Sequence, residues 1–411
     1  MSSETADVVV VGGGIVGTSA AAYLAGQGAR VTLVEGREIA AGASGRNSGV
    51  VQHPFDAALR DLHLETVAAY RALAAEADVE LVLPPLPAGL LLVGLTPDGP
   101  RRLAADLALL WPELEPTFLE SDELRRLEPS LAAGVSACRL AMGYPVPPAA
   151  ATRAYALVAE RRGAAIRTGS PVAALLRDGE RTVGVRLTDR TELAAGAVLI
   201  AAGPWSPALV DPSGRWRPIR AVWGVVVEVG LADPPRHVLE EAEMDEAFGE
   251  LAATPLPETG SAVHAAADDL GDGPDAAGDR PDFSLVTAAG RTSLGSTFLE
   301  SEPDVDAWVP RLVARGRRYV PGLAMASRGS VRSCARPFAM DARPLLGPVP
   351  GLSGAFIAAG HGPWGISTGP ASARMVADVI LGKDVRTSGD DSGGTSAAIP
   401  PELAAARFGT P

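Results

Sequence analysis

Runs of apolar positions and their glycine breaks divide this chain into elements. Residues 8–11 are four valines with no polar interruption, which predicts a strand buried on both faces. Three glycines follow at once, and residues 15–25 are small and mostly apolar, as a helix packed closely on a sheet requires. Val31 to Val34 give a second short apolar run that ends at Glu35. Residues 56–77 change to helical spacing, with Leu59, Leu62, Val67, Tyr70 and Leu73 on or near one face. Pro84 to Pro87 break that pattern, Gly89 to Gly94 read as a buried strand, and residues 100–110 read as a helix. Another helix is predicted from Pro148 to Gly163, with Pro148 in its first turn. Residues 197–202 form an apolar strand ending in Gly203-Pro204-Trp205-Ser206, and residues 221–229 and 283–298 alternate like antiparallel strands. The last helix is predicted to run to about Leu381, with Pro370 in its first turn and Gly382 as its stop.

Length and composition narrow the class. The 411 residues suffice for two domains with separate cores, and 47% hydrophobic content marks a globular chain. Residues 265–282 are a low-complexity acidic insert, expected to be a mobile loop, and residues 387–411 are expected to be a disordered tail. Gly271 and Gly273 in the insert follow no strand, so they are not a nucleotide site. The formal net charge of −13 argues against nucleic acid and anionic membrane as partners. The first residues run straight into a strand with no charged-then-apolar leader, and no apolar run reaches membrane-spanning length. Cys138 and Cys334 show neither metal spacing nor a disulfide framework. No metal is expected, and the setting is expected to be cytoplasmic.

Two glycine-rich loops carry the chemistry. The first, Gly12-x-Gly14-x-x-Gly17, joins a strand to a helix. Glycines there let backbone N–H groups, including those of Ile15 and Val16, approach a pyrophosphate at the helix's positive end. Glu35 lies about 20 residues past the glycines, where a carboxylate accepts hydrogen bonds from a ribose diol, with Gly36 beside it. The second loop, AAGHGPWGISTGP at 358–370, also leads into a helix. Both ends of the chain are therefore expected to fold around one long cofactor. Lysine is nearly absent: Lys383 is the single one, and the other 35 of 36 basic residues are arginines. No lysine Schiff base is available, nor an internal lysine placed to activate oxygen.

With these motifs in hand, the chain resembles flavoproteins of the D-amino-acid oxidase, glycine oxidase and sarcosine oxidase superfamily, up to about Gly382. Four segments carry the likeness: residues 8–35; Ala43-Ser44-Gly45-Arg46-Asn47-Ser48-Gly49; residues 197–206; and residues 332–370. The resemblance implies an α/β fold: a doubly wound, Rossmann-like FAD domain built from 1–55, 145–220 and 331–383, with an inserted substrate domain of antiparallel sheet and helices at 56–144 and 221–330. It implies FAD as cofactor. No second strand-linked GxGxxG is present for a nicotinamide, so the substrate is itself the reductant. The resemblance places the 43–49 loop around the pyrophosphate and past the flavin ring, with Arg46 at either place. It puts the Val172 backbone at the adenine and Ala202, Gly203 and Trp205 near the flavin.

The implied reaction is oxidation of a small amino acid (a D-amino acid, glycine or an N-methyl amino acid), with hydride passing from the α-carbon to flavin N5 and the imine then hydrolysed. O2 or another electron acceptor completes the cycle. The alternatives are oxidation of a hydroxy acid or other amine, and a flavin-carrying subunit of a larger complex. Arg336 in Ala335-Arg336-Pro337 is the leading substrate residue, because a planar guanidinium holds a carboxylate by two parallel bonds. Its other role is structural, against nearby carbonyls or Asp341. Hydride transfer puts negative charge on the flavin's N1–C2=O edge, and the loop carrying Gly362, Gly365 and Ile366 can aim backbone N–H groups there. His361 either faces the flavin or satisfies its own loop, and His53 is expected to be structural. Trp364 either walls the substrate cavity or packs. Cys334 is either a buried inert thiol or, as in sarcosine-oxidase-like members, covalently bound to the flavin. Those members place a lysine where this chain has Ser293, which weakens the fast-oxidase reading and leaves oxidase and dehydrogenase both open.

Overall fold

The computed structural model describes residues 6–242, 280–383 and 399–411. The chain forms two compact units. The first comprises Met1–Leu86, Val146–Ala221 and Ala335–Pro411, and the second Pro87–Pro145 and Val222–Cys334.

The valine run decides the first unit. The strand Ala6–Val11 pairs in parallel with Val31–Val34 on one side and Glu192–Ile200 on the other. The sheet extends to Ala165–Arg167 at one edge, and through Ala355–Ala359 to the antiparallel Leu345–Pro348 at the other. Val8 to Val11 are all buried, and alternate residues serve opposite faces. Val9 and Val11 join a core with Val198, Ile200 and Ile357. The strand Glu192–Ile200 also pairs antiparallel with Arg181–Leu187, whose own partner is Val172–Asp178.

Four helices pack on one another in this unit: Ile15–Gly26, Ala57–Ala74, Ala150–Arg161 and Gly365–Ile380. The first buries nearly its whole length because its side chains are small. Gly369 of the last helix approaches it so closely that a β-carbon there would lie 3.1 Å from Val16 Cγ2. The boundary expected after residue 55 thus falls after Leu86. The Ala57–Ala74 helix belongs to the first unit because its stripe of Leu59, Leu62, His63, Thr66, Tyr70 and Leu73 is buried against the other helices. Asp56 caps it, accepting from the Ala58 N–H at 2.8 Å, and also pairs with Arg343.

The second unit is an eight-stranded sheet in the order Ser327–Ala339, Ile219–Gly230, Arg291–Gly295, Ser284–Ala288, Val238–Glu241, Leu90–Gly94, Ser136–Leu140, Thr117–Leu119. Val238–Glu241 and Leu90–Gly94 run parallel, a departure from the antiparallel sheet expected. The apolar stretch at 283–298 resolves into two strands with a turn at Ala289-Gly290. The Val305–Gly316 helix places Trp308, Val309 and Leu312 in the core beneath the sheet.

Three further expectations are corrected. Pro148 precedes its helix, which starts at Ala150. Pro370 lies inside the Gly365–Ile380 helix, not in its first turn. The end of the predicted disordered tail is packed: Leu403 is buried, its carbonyl accepts from the Leu346 N–H, and Arg407 holds Asp341 by two bonds. Apolar Leu403 and Ala405 anchor a segment whose small and polar composition suggested solvent. The rest of that tail, and the acidic insert up to residue 279, lie outside the described residues. Arg280 and Asp282 at the insert's end are tied down, Asp282 by reciprocal backbone bonds with Ser296.

One buried charge pins the second unit. Glu241 is 3% exposed and accepts from Arg315 Nε at 3.0 Å, Tyr319 Oη at 2.8 Å, Arg280 at 3.2 Å and the Phe283 N–H at 3.1 Å. A carboxylate so enclosed is tolerable only because every lone pair is met. Arg315→Met removes the buried cation and is expected to cost about 3–5 kcal/mol. The measurement is a urea transition, which should show a lower midpoint with unchanged slope.

Candidate active site

Several candidate residues of the first unit lie at the C-terminal ends of its parallel strands. Ala6–Val11 ends at Gly12, Val31–Val34 at Glu35, Glu192–Ile200 at Ala202-Gly203, and Ala355–Ala359 at Gly360 to Gly362. In an open parallel sheet that edge forms the ligand crevice.

Close approach explains the first glycine motif. Gly12 has φ +113°, and a β-carbon there would strike the Ala201 carbonyl. A β-carbon on Gly17 would strike the Gly12 carbonyl oxygen. The helix therefore starts directly against the strand end, with its N–H groups aimed across the turn. Ser44 Oγ accepts from the Ile15 N–H at 2.9 Å. Ile15 is thus satisfied by the protein, whereas Val16 and Gly17 carry helix-start donors that the helix cannot satisfy. A β-carbon on Gly14 would lie 3.0 Å from Ser44 Oγ, so that hydroxyl would have to give way slightly.

Glu35 is fixed in place. Its Oε2 accepts from the Gly13 N–H at 2.6 Å and its Oε1 from the Arg37 N–H at 2.8 Å. Each oxygen keeps a lone pair, so the carboxylate can still accept from a diol. The Glu35 carbonyl accepts from the Ser170 N–H, and Gly36 lies against Pro171. Val172 is therefore brought near Glu35 from far along the chain.

The loop at 43–49 is built by its own side chains. Ala43–Arg46 make one helical turn, and Gly45 sits on the Ala40 carbonyl with no room for a β-carbon. Asn47 Oδ1 accepts from the Gly49 N–H at 2.8 Å, and its Nδ2 donates to the Ser44 carbonyl at 2.8 Å. Asn47 thus shapes the loop, with Ser48 held inside it and Gly49 at φ +91°. Arg46 ends the turn, half-buried.

The closing loop stands on Phe338. His361 bridges Phe338 in antiparallel fashion, and Gly362 lies over the Phe338 ring. Arg336, half-buried, is two residues earlier on the same strand and so shares the Phe338 face. Asp341, the partner considered for a structural Arg336, is gripped by Arg407 at 2.6 and 2.9 Å. Gly362–Trp364 form a tight turn in which the Trp364 N–H donates to the His361 carbonyl at 2.9 Å. Trp364 is buried, and its carbonyl accepts from Thr368. Gly365 and Ile366 open the helix.

His361 is 2% exposed, and its Nε2 meets no hydrogen-bond partner among the described residues. Burial pushes its pKa down to about 4, so at neutral pH it is a neutral imidazole that offers a hydrogen bond. His63 is also pushed down to about 4, by burial and by neighbouring His53. His53 is buried and accepts from the Phe55 N–H through Nδ1, a structural task.

Other predicted residues fall elsewhere. Trp205, in the turn after Gly203, is 54% exposed. Cys334 is buried on the Arg336 strand, at the residue where the second unit ends. Ser293, also in the second unit, accepts from Arg332 at 2.9 Å. Lys383 lies exposed past the last helix, bonded to Gln27. Sequence reasoning missed Tyr70, His63, Thr66 and Ser367 as neighbours of the closing loop. The burial stripe at 56–77 was a visible signal for the helix, but not for what it packs on.

The profile of the DAO family, described as FAD dependent oxidoreductase, matches residues 7–379. The chain belongs to this family. As a DAO-family protein it is 28% identical to the glycine oxidase of Pseudomonas aeruginosa over 92% of this chain and 95% of that one. It is 29% identical to a D-amino acid dehydrogenase of Rhizobium johnstonii, over 56% of this chain and 47% of the relative. Among solved structures, the glycine oxidase of Geobacillus kaustophilus superposes with a TM-score of 0.75 at 23% identity, covering 94% of this chain and 96% of that one. That of Bacillus cereus gives 0.73 at 22%, covering 95% and 100%. These structures share the fold.

The DAO-family cofactor, FAD, fits what the residues offer. Glycines at the strand end leave room where a β-carbon would intrude, the helix start offers N–H donors suited to an anion, and the buried His361 Nε2 has no hydrogen-bond partner among the described residues. Among the described residues no His, Cys, Asp and Glu cluster could hold a metal, and no helix is long and apolar enough to cross a membrane.

Two outcomes follow. Gly17→Ala forces the helix off the Gly12 carbonyl, and is expected to cost about 1–3 kcal/mol and to lower FAD occupancy, read by absorbance after purification. Stability should also fall with acid. The unfolded chain protonates His63 and His361 near pH 6.5, and the folded chain only near pH 4. The histidine contribution is therefore complete above 6.5 and is lost as pH falls toward 4. Urea midpoints should show this, with a slope of up to about 1.4 kcal/mol per pH unit per histidine, reduced in His361→Gln.

Proposed function

We propose that this protein oxidises a small amino acid at its α-carbon, the candidates being glycine, a D-amino acid or an N-methyl amino acid. Bound FAD supplies the hydride acceptor. The observation that carries the reading is the placement of Arg336 on the strand face that, at Phe338, supports the closing loop. A guanidinium there holds a carboxylate bidentately and so fixes the α-carbon beside it. The N–H groups at the start of the Gly365–Ile380 helix point donors at developing negative charge. His361, neutral at working pH, adds a hydrogen bond and carries no proton away. The amine enters neutral, so no general base is required of the protein. Glu35 holds the ribose, and Val16 with Gly17 meet the pyrophosphate. Cys334 is a buried core thiol and the FAD is held without a covalent bond. The names of the relatives, glycine oxidase and D-amino acid dehydrogenase, support an amine donor next to a carboxylate.

The test is anaerobic addition of glycine, sarcosine, proline and D-amino acids to the yellow protein, followed at the flavin's visible maximum. One class should bleach it. Arg336→Met should raise the half-saturating concentration about 100-fold, the worth of a charged hydrogen-bond pair near 3 kcal/mol. Bleaching by hydroxy acids alone would overturn the amino-acid reading. The rate at which colour returns in air separates oxidase from dehydrogenase.

A further inference from the structure

The Gly365–Ile380 helix carries a proline in its interior, and the neighbouring helix is fitted to it. Pro370 has no N–H, so the Ile366 carbonyl, four residues back, receives no helical hydrogen bond. That carbonyl is buried among Ser367, Thr368 and Gly369, where an unmet acceptor costs about 1–3 kcal/mol. Tyr70 supplies the missing donor: its hydroxyl donates to the Ile366 carbonyl at 2.7 Å, and its side chain is 1% exposed. On the same stripe the buried His63 ring lies beside the Ser367 backbone. Thr66 Oγ1 accepts from the Ala371 N–H at 3.3 Å. His63, Thr66 and Tyr70 are spaced i, i+3, i+7, one face of the Ala57–Ala74 helix. They are the polar members of a face otherwise made of Leu59, Leu62 and Leu73. From outside that helix, the Gln52 N–H donates to Ser367 Oγ at 3.0 Å.

We propose that Tyr70, with His63 and Thr66, positions the first turn of the Gly365–Ile380 helix and thereby sets the reduction potential of the bound FAD. The proposal rests on the reading above in which this helix start faces the cofactor. Donors at a helix start stabilise negative charge only in proportion to how well they are aimed, and donors held in advance need no reorganisation when charge arrives. A proline in the second turn frees the carbonyl that would otherwise tie the turn to the rest of the helix. The phenol re-ties it to a different helix, so the angle of the turn is set by Tyr70. The body of the helix stays anchored through Gly369 against Ile15 and Val16 whether or not Tyr70 is present.

The experiment measures the midpoint potential and FAD occupancy of holoenzyme carrying Tyr70→Phe, and of Tyr70→Phe combined with Pro370→Ala. Phenylalanine keeps the ring and removes the donor. It should make the two-electron reduction of the bound FAD about tenfold less favourable, a shift of about 30 mV to lower potential. Pro370→Ala restores a backbone N–H to the Ile366 carbonyl, so the double variant should return toward the wild-type potential. A Tyr70→Phe protein that loses thermal stability but keeps its potential, at full occupancy, overturns the positioning role and leaves the cofactor reading intact. A double variant that stays as low as Tyr70→Phe overturns it too. Wild-type protein that takes up no FAD overturns both.

Discussion

No side chain fits between the Gly17 α-carbon and the Gly12 carbonyl oxygen, and much of the first unit depends on that closeness. It starts the Ile15–Gly26 helix directly at the strand end, so the N-terminal donors open onto the crevice without an intervening loop. The same small residues that allow the approach let the helix sink into the unit, buried along nearly its whole length. Burial of that kind admits a second close partner, and Gly369 of the last helix takes the place. The opening and closing segments of the sequence are brought side by side by steric fit between small residues.

Helices packed that closely shut water out, so each polar group at their contacts needs a partner from the protein. Ser44 meets the Ile15 N–H, Tyr70 meets the Ile366 carbonyl, and Tyr23 donates to buried Asp378 at 2.8 Å. The Glu241 cluster solves the same problem in the second unit. Against that background the buried Nε2 of His361 is one of several side-chain atoms that meet no hydrogen-bond partner among the described residues. A buried polar atom of this kind is completed by an ordered water or by a ligand.

The strand–glycine–helix–strand pattern was legible in the sequence because it is local: period, glycine spacing and a terminal carboxylate all lie within residues 8–35. The closing loop was legible for the same reason, and the prominence of Arg336 came from its Arg-Pro neighbourhood together with family resemblance. The allocation of residues 56–86 was not. An amphipathic stripe states that a helix has a buried face and is silent on what covers it. Pro370 was placed in a first turn because proline is favoured there. Tertiary contact overrode the preference by supplying a donor from Tyr70. The packed end of the tail was hidden because a few apolar residues among small ones carry no period.

The sequence by itself determined the parallel-sheet core, the glycine cradle, FAD as the cofactor through family likeness, and the lack of any internal lysine. These follow from short-range pattern and composition, which need no knowledge of distant neighbours. Only the tertiary structure decided that Ser44 claims Ile15, that Gly13 holds Glu35, that Asn47 shapes its loop and that the 57–74 helix braces the closing helix. Each of those bonds joins groups whose meeting depends on how strands and helices pack. A hydrogen bond is fixed by position to within a few tenths of an ångström, and sequence pattern alone carries no such resolution.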